Sequence, residues 1–187
     1  MQKNVRATTA TIIALAAAGA PALHAAEATP GVPEAIRIAV PVDHLFDYRI
    51  TGVQIYVCAK KGDAEYAQFE WQFKSPEGSI INDAGDAIGR HFAGPSWAMN
   101  DGSKITAEVV GRTAAPDKKD IPWLLLKTTS INGAGKLARV SYVQRLQTEG
   151  GTAPGEGCDA ASVGKEYRSA YSARYHFYAN QENTGAK

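Results

Sequence analysis

From Val53 onward, apolar and polar positions alternate with a period of two, the mark of strands with one buried face. Val53-Gln54-Ile55-Tyr56-Val57-Cys58 is rich in β-branched residues and predicts the first regular strand. Phe69, Trp71 and Phe73 share one face of the next, with Gln68, Glu70, Gln72 and Lys74 opposite. Pro76-Glu77-Gly78 then predicts a turn, Ser79 to Asn82 a short return strand, and Asp83-Ala84-Gly85 another turn. Ile105, Ala107 and Val109 alternate with Lys104, Thr106 and Glu108, and Asp101-Gly102 just before them is a hairpin signal. Ile121 to Leu126 is apolar on both faces, which predicts a central strand with Pro122 at its start. Asn132-Gly133 is the strongest turn signal and predicts that Ile121–Ser130 pairs with Lys136–Leu146 in an antiparallel hairpin. Tyr171, Ala173, Tyr175 and Phe177 alternate with Ser172, Arg174 and His176 in a last strand.

Ile36 to Val40, ended by Pro41, reads as a short strand before these, and Glu149 to Gly157 as a glycine-rich loop. No segment keeps a helical period. Short strands with turns at intervals of about 8 to 12 residues predict an all-β domain, a single antiparallel sandwich or barrel with little helix. Its expected span is 34–179, with a disordered tail over 180–187.

The amino end changes the picture of where this domain works. Lys3 and Arg6 precede an alanine-rich apolar run, followed by Pro21 and small residues at Ala22, Ala25 and Ala26. This is the pattern of a secretory signal peptide over 1–25, with 26–33 as a tether, and the apolar run is too short for a membrane span. The protein is therefore expected in the periplasm or outside the cell. Losing Lys3 and Arg6 from the 20 basic residues leaves 18 against 19 acidic, a near-neutral chain without the basic footprint of a nucleic-acid binder. Two cysteines, Cys58 and Cys158, follow the signal and allow one disulfide in an oxidising compartment; two buried free thiols are the alternative.

Several motifs occur together: Gly52-x-Gln54-x-Tyr56-x-Cys58, Gly89-x-His91-x-x-Gly94-Pro95-x-Trp97-x-x-x-Asp101-Gly102-Ser103, and Ile121-Pro122-Trp123-Leu124-Leu125-Leu126. Gln144-Arg145, Thr148-x-Gly150-Gly151 and Cys158-Asp159 follow. With these the chain resembles the secreted fungal and bacterial proteins grouped as domain of unknown function 3455. The resemblance implies no established activity and no functional residues. A dehydrogenase label attached to some members is not supported by the residues. Gly155-Glu156-Gly157-Cys158-Asp159-Ala160 matches a dinucleotide pattern in letters only, because a loop precedes it and the chain ends soon after.

The stretch Arg90 to Ser103 carries the densest chemistry. His91 has the residue type of a general base or metal ligand, and a structural histidine is the plainer reading. His44 and His176 are remote in sequence and form no ligand pair at helix or strand spacing, so no metal and no cofactor are expected, a metal site built from scattered ligands being the alternative. His91, Asp101 and Ser103 have the types of a hydrolytic triad, but no G-x-S-x-G elbow presents the serine, and Asp101-Gly102-Ser103 reads as a turn. Trp97 and Trp123 are candidates for an aromatic binding platform. The expected site is a shallow cleft with His91 and Trp97 on one side and Arg90 or Asp101 at its rim, Ser103 and Trp123 being further ligand-binding candidates, and it holds a small molecule or glycan without catalysis. On that reading His91→Ala leaves stability almost unchanged. A small secreted hydrolase or metal-dependent enzyme centred on His91 is the alternative. Nothing in the sequence sets an oligomeric state.

Overall fold

The computed structural model describes residues 31–62 and 68–181. The expected signal peptide, most of the tether and most of the tail lie outside these residues. Eight strands follow in chain order: β1 (Val42–Lys60), β2 (Phe69–Ile81), β3 (Ala87–Phe92), β4 (Ser96–Met99), β5 (Lys104–Thr113), β6 (Trp123–Asn132), β7 (Tyr142–Gly150) and β8 (Glu166–Asn180). Each pairs antiparallel with the next, and β8 pairs with β1, so the sheet closes into a barrel. Closure satisfies the edges that an open sheet would leave unpaired. The choice between sandwich and barrel is thus decided for the barrel.

The strands are not all short. β1 runs for 19 residues, β8 for 15 and β2 for 13. The turn expected at Pro76-Glu77-Gly78 is absent, and β2 passes straight through it. A register shift leaves Lys74 as an extra residue opposite Ile55 and Tyr56, and β3 pairs with β2 only from Gly78 onward. Pro76 therefore lies beside a bulge, on a stretch with no partner on the β3 side, where a missing N–H is tolerated. The same overhang explains Phe69, Trp71 and Phe73. They stand at the rim rather than in the core: Trp71 donates its indole N–H to the Glu156 carbonyl, and Phe73 is mostly exposed.

Ile36 to Val40 is not a strand either. Glu34–Ile36 is a single 3₁₀ turn, and Ile36 is fully buried. Gln144 donates to the Ile36 carbonyl, and the Ala35 carbonyl approaches Gly111 so closely that a Cβ there would lie 2.3 Å from it. The amino-terminal segment thus lies against the barrel wall. This contact accounts for the doubly apolar Ile121–Leu126 run: Leu124 and Leu126 join the core cluster, while Leu125 is buried outside it, beside Gly111.

The pairing of β6 with β7 is as expected, with Leu124 opposite Arg145 and Leu126 opposite Val143. Asn132-Gly133, however, does not close a tight hairpin. The chain between these strands folds back on the barrel, and its Leu137 and Val140 are fully buried in the core cluster. The Asp101-Gly102 hairpin does form, joining β4 to β5, with Gly102 at φ 87°. It also anchors the inserted loop. Asp101 Oδ2 accepts from the Lys136 N–H at 2.8 Å, and Ser103 Oγ accepts from the Leu137 N–H at 3.2 Å.

Cys58 and Cys158 form a disulfide with Cα atoms 5.3 Å apart, tying β1 to the β7–β8 connection. In the β1–β2 pair Gly52 faces Gly78, and a Cβ on Gly52 would sit 2.0 Å from the Glu77 carbonyl oxygen. Gly52→Ala should therefore cost about 1 to 3 kcal/mol as the strands are forced apart. A urea-unfolding midpoint equal to that of the unmodified protein would refute this.

Candidate functional site

One end of the barrel is filled by Ile80, Met99, Ile105, Leu137, Val140 and Phe177. The other holds a cavity of about 410 Å³, to which every strand contributes at least one residue. Its volume lies within the range of small-molecule sites. Eight strands are also the number at which a barrel interior can hold one small ligand. The walls are mainly apolar: Trp97, Leu124, Leu126 and Ile121 inside, with the exposed Phe73 and Val109 at the mouth.

His91 enters from β3 and Trp97 from β4, directly opposite one another in the register. Their rings stack, with centroids 4.7 Å apart and planes within 12°. Tyr175 tilts against both. The expected neighbourhood of His91 and Trp97 is therefore present, but inside the barrel rather than in a shallow cleft. His91 is 3% exposed and its Nδ1 lies 2.9 Å from the Ser96 carbonyl oxygen, so Nδ1 carries the proton and donates. Burial lowers its pKa to about 4, with a smaller contribution from Arg145 in the same direction and the Ser96 bond opposing. The ring is neutral at physiological pH.

The remaining expected residues separate. Arg90 is exposed on the outer wall. Asp101 and Ser103 bond to each other, with Ser103 Oγ donating to Asp101 Oδ1 at 2.6 Å, and both hold the inserted loop. Hydrogen bonds from the Ser103 hydroxyl and from the Lys136 and Ser103 backbone N–H groups hold the Asp101 pKa below its ordinary value. The hydrogen bond made by His91 goes to Ser96, and no triad is assembled among the described residues. Trp123 is half-buried at the start of β6, outside the cavity lining.

Other lining residues complete the site. Arg145 is buried and donates from Nε and Nη2 to the Pro122 carbonyl, at 3.1 and 2.8 Å. Lys74 and Arg112 also line the cavity, and among the described residues no carboxylate does; Lys74 is paired with Glu166 outside the lining. Tyr56 donates to the Gly151 carbonyl at 2.7 Å, and burial raises its phenol pKa against the opposing pull of Arg145 and Arg112. Trp97 Nε1 is buried without a hydrogen-bond partner among the described residues, while Gln54 and the Tyr175 hydroxyl lie beside the buried Tyr171 hydroxyl. Buried polar atoms are ordinarily satisfied, so an orphaned donor on the cavity wall marks a place where a ligand or water completes the bonding. Sequence reading missed Gln54, Tyr56, Arg145 and Arg112. For Arg145 a signal existed: it falls on the same face of its strand as the buried Val143.

The sequence matches the model of a family described as protein of unknown function (DUF3455), over residues 45–179. The chain belongs to this family. No curated protein and no solved structure matches it. The motifs that carry the family resemblance converge on the cavity: Gln54 and Tyr56, His91, Gly94-Pro95 and Trp97, Ile121-Pro122 and Arg145 all line it. The DUF3455 motif Gly150-Gly151 shapes its wall as well. Gly151, at φ 84°, leaves no room for a Cβ between Tyr171, Ile121 and Gln54.

Proposed function

We propose that this DUF3455 protein is an exported, noncatalytic binding protein that holds a small, largely apolar molecule carrying an anionic group inside its barrel. One observation carries the reading: a mainly apolar cavity lined by Arg112 and Arg145, with no carboxylate in its lining among the described residues. A charged head paired with a guanidinium while its apolar body fills the interior is the arrangement such a lining favours. The buried donor on Trp97 adds a directional bond. A small molecule is preferred to a glycan because Trp97 is 0% exposed and offers no open face for a sugar chain. Export is supported by the amino-terminal signal pattern and by the disulfide. Binding is preferred to hydrolysis because His91 bonds to a backbone carbonyl rather than to an acid or a nucleophile.

Decanoate and decanol separate this reading from simple apolar occupancy. Titration followed by tryptophan fluorescence should show decanoate binding about tenfold or more tighter, a difference of about 1.4 kcal/mol. Arg112→Gln should remove most of that preference, and Val109→Trp at the mouth should weaken both ligands. Equal affinity for the acid and the alcohol would refute the anionic part. Binding unaltered by Val109→Trp would refute the cavity as the site.

A further inference from the structure

We infer that His44, Asp47 and His176 form a binding site for a divalent transition metal on the outer wall of the barrel. Residues three apart on a regular strand point to opposite faces. A β-bulge removes that obstacle here. His44 pairs with Tyr178 and Phe46 with Phe177, so Leu45 is the extra residue and His44 and Asp47 emerge on the same face. Asp47 pairs directly with His176 on β8, which brings the second imidazole to the same place. Phe46 and Phe177, alternating with these residues, pack together on the inner side with ring centroids 5.0 Å apart.

The three side chains offer ligand atoms that all lie within 4.8 Å of one another. His44 Nε2 is 3.7 Å from Asp47 Oδ1, and the two imidazole centroids are 5.7 Å apart. Tetrahedral ligands at metal distances near 2.0 Å stand about 3.3 Å apart, so modest side-chain rotation closes the set. His44 is free to make it, being 46% exposed at its side chain. Arg174 Nε holds the other oxygen of Asp47, leaving Oδ1 to face the histidines. An outer partner of this kind orients a ligating carboxylate, while its positive charge moderates affinity.

Two imidazoles and one carboxylate select zinc, copper, nickel or iron(II) rather than calcium or magnesium, which prefer all-oxygen sites. Three protein ligands leave at least one position for water or an external donor. The site shares no side chain with the cavity lining, so it stands or falls apart from the proposed ligand binding.

The test is calorimetric titration of the untagged, oxidised mature protein with zinc chloride. One zinc per chain is expected, and His44→Gln, Asp47→Asn and His176→Gln should each weaken it tenfold or more. Magnesium should not compete. Cobalt(II) added to the unmodified protein should give the visible absorption of a low-coordinate imidazole site, a readout that needs no variant. Absence of zinc binding, binding retained in the His44→Gln/His176→Gln double variant, magnesium competing equally, or a cobalt spectrum identical to the aqueous ion would each overturn the proposal.

Discussion

Replacing Cys58 and Cys158 together by serine is expected to lower the unfolding free energy by about 4 to 5 kcal/mol, the loop-entropy value for a closed loop of about 100 residues. The bond spans 100 residues and links β1 to the β7–β8 connection, so it constrains the unfolded chain across most of the barrel. The folded state has other ties at this place. The Cys58 N–H donates to the Lys165 carbonyl and the Gly164 N–H to the Cys58 carbonyl. The loss should therefore appear in the unfolded state more than in the native contacts. Urea unfolding should show a lower midpoint together with a steeper slope, because an unlinked chain exposes more surface. Adding a thiol reductant to the unmodified protein should reproduce the shift. An unchanged midpoint in the double variant, or free thiols titrating in the native oxidised protein, would contradict it.

Acid should weaken the barrel through His91. Its pKa is about 4 in the folded chain, below the ordinary value of 6.5, so between these pH values the unfolded chain binds the extra proton. Stability therefore rises with pH across this window; it is complete above about pH 6.5 and lost progressively toward pH 4. The shift corresponds to about 3 kcal/mol. His176, whose pKa burial also lowers, contributes in the same direction. The depressed Asp101 carboxyl acts at lower pH, losing its contribution as pH falls through its folded pKa. The His91 share is isolated by His91→Asn, which can keep a donor toward the Ser96 carbonyl but does not titrate. Unfolding free energies measured from pH 7 to pH 4 should fall more steeply for the unmodified protein than for this variant. Parallel curves would refute the assignment. His91→Ala, expected from sequence to be nearly silent, should instead cost about 1 to 3 kcal/mol, since it deletes a buried, bonded and stacked ring.

His91 and Trp97 illustrate how much of the site was legible. The Gly94-Pro95 turn between two short strands places them opposite one another, and both features are local. Their position inside a closed barrel is not local, because it depends on β1 meeting β8 from opposite ends of the chain. The cationic lining is likewise assembled from β2, β5 and β7, which share no sequence neighbourhood. The metal-ligand set was hidden for a similar reason. His44 and His176 are distant in sequence, and a bulge at Leu45 reverses the face expected from simple alternation.

The chain by itself determined the all-β class, the alternation of β8, the Asp101-Gly102 hairpin and the pairing of β6 with β7, since each follows from side-chain period and turn chemistry within a few residues. Tertiary structure alone decided that Pro76 lies within a strand, that Asn132-Gly133 leads into a core-filling loop, and that Phe69, Trp71 and Phe73 form a rim. A turn signal states that the chain can bend, and an apolar face states that it can be covered. Whether either happens depends on which strand lies alongside, and closing the barrel sets that for all eight strands together.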